Sequence, residues 1–413
     1  MRRSLAGPLA ILVTTPVLAV LLCASPSAQQ PQRFTSSVNM LAVDVRVVDR
    51  DGQPILGLLP SDFNVTINRH DRKVVSAELV HFAEMPKPLV NIQPLHTPGM
   101  VPDDSRVFAI AVDESSFSSG GIKAAMQSAQ RFVANLRPSD MVGLYVFPYE
   151  RPVLALSHDR QPLQNALARL IGRREDRHGE YHLTPAEIMD ITAGDRDALD
   201  RVANVECPPS RDPNLLGDVG CPAIIRAEAS AAAAYYETDA AQRLLGLGML
   251  IQDLGQLPGR KTVVIVSGGL LNANRSGARP DMQGFLGRLG AQAARSNVGT
   301  YVVHINDALQ EVFSAARSPS RRAADQARSL MDVEAAYSNG LMRLASETGG
   351  AYLSVNGGTG DVAFGRVLRE TMAYYLLGVE PTQDDWDGRK LMVDVRTRAK
   401  GATVRALREV IAK

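Results

Sequence analysis

Apolar and polar residues alternate along three stretches near the start of the chain, Leu41 to Val48, Asp62 to Ile67 and Lys73 to Val80. A period of two buries one face of a strand and leaves the other in water. These stretches therefore predict a small antiparallel β unit over 35–84, with Asp49-Arg50-Asp51-Gly52 as a turn. The pattern then changes. Val107 to Val112, Met141 to Phe147, Thr262 to Val266 and Gly299 to Ile305 are almost continuous apolar runs, as strands are when helices cover both faces of their sheet. Val153 to Leu156 and Ala351 to Ser354 add two shorter strands.

Helical spacing falls between these runs. Ile122, Ala125, Met126, Ala129, Phe132, Val133 and Leu136 recur three and four apart, and helices are also expected at 162–171, 239–257, 282–296 and 334–348, with a loop-like crossover over 314–328. Strand, helix, strand repeated in this way predicts an α/β fold with a doubly wound, mostly parallel, Rossmann-like sheet. After a last helix from Asp361, alternation returns at Tyr374 to Val379, Lys390 to Thr397 and Thr403 to Arg408. The expected organisation is a β unit at 35–84, a Pro-rich linker at 85–104, an α/β domain at 105–370 with an insertion at 173–236, and a β segment at 371–413. Neither terminal set holds enough core to stand alone, so the two should form one antiparallel unit into which the α/β domain is inserted.

Residues 1–28 read as an export signal: Arg2 and Arg3, an apolar core from about Leu9 to Leu22, then small residues to Ala28. That core is short for a membrane span and no later stretch approaches it, so a periplasmic or secreted protein without a transmembrane span is expected. Lipid-modified cysteines follow a small residue, whereas Leu22 precedes Cys23, which argues against a lipid anchor. A net charge of +1 over 413 residues gives no electrostatic case for nucleic acid. In an oxidising compartment the remaining cysteines, Cys207 and Cys221, are expected to pair and close the loop CPPSRDPNLLGDVGC, a constraint worth ~3 kcal/mol in the chain-entropy description.

The candidate chemistry lies where the first continuous run ends, at Asp113, Ser115, Ser116 and Ser118. Ligands of open α/β sheets bind at the carboxyl ends of the strands. With VDVRVVDRDGQPILGLLPSDF (Val43–Phe63), RVFAIAVDESS (Arg106–Ser116), LPGRKTVVIVSGG (Leu257–Gly269), LASETGGAYLS (Leu344–Ser354) and YYLLGVEP (Tyr374–Pro381) in this order, the chain resembles the von Willebrand factor type A family in its secreted bacterial branch. The resemblance implies a non-catalytic module for adhesion or assembly. It would engage a protein or peptide partner with its strand-end loops, through a divalent ion held by Asp-x-Ser-x-Ser plus a Thr and an Asp from two other loops.

Here Asp113 and Ser115 match, Thr184 is the candidate from the third loop, Phe117 stands in place of the second serine, and Ser267-Gly268-Gly269 lacks the aspartate. Mg²⁺ would therefore meet an incomplete, degenerate site, since it requires hard oxygen ligands with more charge than one carboxylate. Asp113 also reads as a simple cap of its own loop, worth about 1 kcal/mol. Ser267, after a strand and with His304 as its nearest histidine partner in the pattern, supports a rival reading as a serine hydrolase, although Ile265 replaces the leading glycine of Gly-x-Ser-x-Gly. His178 with His182, and Asp384-Asp385-Trp386-Asp387, have the wrong order for a zinc helix and for a calcium loop, and read as a solvated loop and an acidic turn.

Overall fold

The computed structural model describes residues 40–82, 105–118, 121–148, 151–174, 179–207, 220–273, 276–306, 321–356, 360–386, 390–407 and 409–411. These all belong to one compact unit, Asn39–Lys413. The signal segment with Cys23, the Pro-rich linker and His178 lie outside the described residues.

The central sheet has six strands. In chain order they are β5 (Val107–Asp113), β6 (Met141–Phe147), β7 (Arg151–Ser157), β8 (Lys261–Ser267), β9 (Val298–Asn306) and β10 (Ala351–Asn356). Their spatial order is β10-β9-β8-β5-β6-β7, parallel except for β7, which runs antiparallel to β6 at one edge. The chain starts at β5 in the middle, winds out to β7, then returns to β8 on the other side of β5. At this reversal a narrow crevice of about 10 Å³, lined in part by Asp113, Arg243 and Ser267, lies by the carboxyl ends of β5 and β8, where open α/β sheets meet their ligands.

Helices cover both faces, as continuous apolar runs require. Phe108, Ile110 and Val112 of β5 face α1 (Ile122–Ala134), α2 (Gln161–Ala168) and, through Phe132, the last helix of this layer at Asp361–Glu370. Alternate positions carry the small Ala109 and Ala111, which face the other layer: α5 (Cys221–Leu254), α6 (Gln283–Arg295) and α7 (Arg321–Glu347). Asp361–Glu370 is α8. Between α2 and α5 the chain makes α3 (Pro185–Thr192) and α4 (Arg196–Glu206), which pack on the first half of α5 through Ile191, Ala198, Leu199 and Val202 against Ile225 and Ala229. Cys207 and Cys221 are joined by a disulfide, with Cα atoms 6.2 Å apart.

The remaining strands form two facing antiparallel sheets. β1 (Leu41–Val48), β4 (Val74–His81), β11 (Ala373–Val379) and β13 (Thr403–Ala406) make one in the order β13-β1-β11-β4. β2 (Phe63–Ile67), β3 (His70–Arg72), β12 (Lys390–Thr397) and β14 (Glu409–Ile411) make the other, in the order β14-β12-β2-β3. N- and C-terminal strands interleave, with Val43 opposite Leu377 and Val65 opposite Val395. Val45, Val65, Ile67, Leu377 and Val379 are wholly buried between the sheets. Each such side chain contributes about 1.5–3 kcal/mol of transfer free energy, and neither terminal segment could bury them without the other.

Three expectations need correction. The helix expected at 239–257 begins at Cys221 and runs unbroken through position 236, because the Ala-rich stretch AEASAAAA has high helix propensity without apolar periodicity. The expected crossover at 314–328 is helical from Arg321 onward. Asp385 does not rim an exposed acidic turn: it is buried and bound by Arg72, whose Nε donates to Oδ2 at 2.9 Å.

Candidate functional site

Four of the strand-end candidates come together at the crevice. Asp113 ends β5 and is 1% exposed; Ser267 ends β8 and is equally buried. Ser267 Oγ donates to Asp113 Oδ2 at 2.8 Å, and Ser115 Oγ donates to Oδ1 at 3.1 Å. Ser116 ties the two loops together: its hydroxyl donates to Asp113 O at 2.7 Å and accepts from Gly268 N at 2.7 Å. A side chain on Gly268 would place its Cβ 2.6 Å from Ser116 O, and Gly269 has φ +146°, with Tyr337 where a Cβ would go. The glycine pair is therefore required by the close approach of the loops. Phe117 points into the core and is fully buried, anchoring the loop from below. Ser118 lies at the loop's far end, where its Oγ accepts from Gly121 N at 3.2 Å.

Thr184 is not part of this cluster. It caps α3, accepting from Glu187 N at 3.3 Å and donating to Glu187 Oε2 at 2.8 Å, a capping box with Pro185 in the first turn.

The residue that completes the cluster is Arg243 of α5. The residue is 5% exposed, and its guanidinium donates from Nε to Asp113 Oδ2 at 3.1 Å, with Nη2 bound both to that oxygen and to Gly269 O. Nη1 reaches Asp239 Oδ2 at 3.2 Å one turn back. The sequence held a signal for it. Arg243 falls on the buried stripe Ala240, Leu244, Leu247 and Leu254, where a cation requires a partner from elsewhere in the fold. Burial is the largest influence on Asp113 and pushes its carboxyl up from the ordinary 3.8, against the charge and hydrogen bonds of Arg243. Burial also works against the charge on Arg243, but Asp113 and Asp239 outweigh it and hold the guanidinium protonated.

This arrangement does not fit a divalent ion. Mg²⁺ would need lone pairs of Asp113 Oδ2 and neighbouring hydroxyls, and Oδ2 is already covered by a cation and a serine O–H. Among the described residues no group of three or more His, Cys, Asp or Glu is placed to hold a metal. Nor does the cluster form a Ser–His couple. The ring nitrogens of His304 meet Tyr352 Oη at 2.7 Å and Gly268 O at 3.2 Å, while Ser267 Oγ is directed at Asp113. Among the described residues no helix is long and apolar enough to cross a membrane.

No protein-family model matches this chain, and no curated protein matches it. Among solved structures, the conserved hypothetical protein BatB from Bacteroides thetaiotaomicron is similar over 64% of this chain and 98% of its own, at 10% identity and a TM-score of 0.28. The SpRpn10 VWA domain is similar over 65% of this chain and 96% of its own, at 11% identity and a TM-score of 0.28. Likenesses at this level carry no functional argument.

Proposed function

We propose that this chain is an exported, non-catalytic protein-binding module of the von Willebrand factor type A kind. It engages a protein or peptide partner with the loops at the carboxyl ends of β5 and β8, and Arg243 neutralises Asp113 in place of a divalent ion. The observation that carries this reading is the Asp113–Arg243 pair at the point where the sheet reverses its winding, the position at which open α/β sheets meet their ligands. Ser115 and Ser118, both half-buried, form the rim that a partner would touch. The n-region, apolar core and small-residue site of residues 1–28, together with the Cys207–Cys221 bridge, support export.

The test is retention of partners from the native cell envelope by the mature protein, compared with Ser115→Arg and Ser118→Arg. Each variant adds bulk and charge at the rim while leaving Asp113 and Arg243 in place. Partners retained by the wild type should be lost from both variants and should persist in EDTA. Equal retention by the variants would remove the loops from the interface, and loss in EDTA would restore a metal to it.

A further inference from the structure

A second concentration of charge lies at the opposite end of the central sheet, beneath the amino ends of β5 and β8. A cavity of about 220 Å³ opens there between the sheet and the terminal β strands, with Arg46, Arg106, Arg260, Thr262, Phe82 and Tyr374 among its lining residues. The exposed turn at Pro258 and Gly259 forms part of its wall, so the space is reached from solvent.

The three arginines are not equally satisfied. Arg106 is committed: its Nε donates to Asp140 Oδ1 at 3.1 Å, and the same carboxylate also binds Arg137. Arg46 is 3% exposed and among the described residues has only neutral hydrogen-bond partners, with Nη1 donating to Tyr301 Oη at 3.2 Å and Nη2 to Thr262 Oγ1 at 3.3 Å. Arg260 is 12% exposed, approaches Asp44 at 3.4 Å and stacks on the Tyr374 ring at 5.2 Å. Among the described residues its buried Nε has no hydrogen-bond partner, and Nη1, the atom that faces Asp44 Oδ2, meets it only as an ion pair outside hydrogen-bond geometry. Of the other carboxylates nearby, Glu370 is held by Arg405 and Arg366, and Glu78 lies close enough to act on the Tyr374 hydroxyl. Burial, and then the charge of Arg46, push the Arg260 guanidinium down to about 10. Two crowded, under-paired guanidiniums cost stability unless something compensates them, and such arrangements cluster at binding sites.

We infer that this cavity is a binding site for a small dianionic oxyanion, a phosphate or dicarboxylate, gripped by Arg260 and Arg46 and flanked by Phe82 and Tyr374. A guanidinium offers a planar fork of donors that matches two oxygens of such a group. The volume exceeds the roughly 30 Å³ share of one water several-fold, enough for a group of several heavy atoms. The site is separate from the Asp113 crevice and does not rest on the function proposed for it.

The experiment titrates the full mature protein with inorganic phosphate and, in parallel, with malonate, using sodium chloride at matched ionic strength as the control. Calorimetry should show one saturable site with a Kd of about 1 mM or tighter for at least one of the two, and the preferred one identifies the class. Arg260→Met should weaken that affinity at least tenfold and abolish the rise in melting temperature that the anion gives the wild type. Absence of saturable heat with both anions, an equal melting shift with chloride, or full affinity in Arg260→Met would each overturn the inference. The wild-type titration decides the case by itself should Arg260→Met fail to fold.

Discussion

Arg243 and Asp113 lie 130 positions apart in sequence and form one buried ion pair at the mouth of the central sheet. Removing one partner of such a pair strands a charge in a site closed to water, at a cost of about 3–5 kcal/mol. Arg243→Met should therefore lower the unfolding free energy by that amount in urea denaturation, and Asp113→Ala should do much the same. A local cap worth about 1 kcal/mol, as the sequence suggested for Asp113, underestimates a carboxylate on which a buried guanidinium depends. Combining Arg243→Met with Asp113→Leu should recover a large part of the loss, because the double variant leaves no unpaired charge. A cost under about 1 kcal/mol for Arg243→Met would mean that the pair contributes little to holding the loops.

The same pair sets the response to metal. With Asp113 Oδ2 covered by Arg243, calorimetric titration of the wild type with Mg²⁺ should be flat, and EDTA should leave the melting temperature unchanged. Saturable heat at millimolar Mg²⁺ would show that the guanidinium yields its place.

Acid should weaken the contact between the terminal β strands and the α/β layers. Burial opposes ionisation of Glu370, but Arg405 and Arg366 outweigh it and hold its carboxyl below the ordinary 4.5. Asp140 behaves alike, with burial overcome by Arg106 and Arg137, and lies below 3.8. A folded pKa below the unfolded one means that the stabilisation is complete above the unfolded value and is lost as pH falls through the folded value. Glu370→Gln should thus be less stable than the wild type by about 3 kcal/mol at neutral pH, and the difference should shrink as pH falls below the ordinary 4.5 and through the lower folded value. A gap that is the same at pH 7 and pH 3 would show that Glu370 contributes nothing through its charge.

Deleting Lys390–Lys413 removes β12, β13 and β14, the partners of β2 and β1. Amide exchange in Leu41–Val48 and Phe63–Ile67 should then accelerate towards that of unprotected segments. Retained protection there would show that the N-terminal strands hold together without the C-terminal ones.

The parts of the fold that could be read in the sequence are those whose burial is uniform along a segment. Val107 to Val112 and Thr262 to Val266 announce strands covered on both faces, and the alternation at Leu41–Val48 announces one covered on one face only. The Ala-rich first half of α5 was hidden because alanine marks a helix by propensity and not by pattern. The candidate loop was legible at Asp113, Ser115, Ser116 and Ser267, which adjoin strand ends. Arg243 carried a weaker signal, its place on the apolar stripe of Ala240, Leu244 and Leu247, masked because an arginine four residues after Asp239 resembles an ordinary solvated helix pair. Only the fold reveals that its cation meets a carboxylate at the end of β5. Thr184 was legible as a cap, since Thr184-Pro185-Ala186-Glu187 has the spacing of a capping box with proline in the first turn, and the resemblance to a ligand-bearing loop drew attention away from it.

The helix that carries Arg243 begins at Cys221, where the disulfide ties it to the end of α4. From Cys221 to Arg243 is a stiff rod of about 33 Å, and length converts angle into distance. A tilt of about 5° pivoting at the cysteine end would carry the guanidinium about 3 Å, a full hydrogen-bond length away from Asp113. The packing of Ile225 and Ala229 against α3 and α4 therefore works as an alignment bearing for a charge several helical turns away.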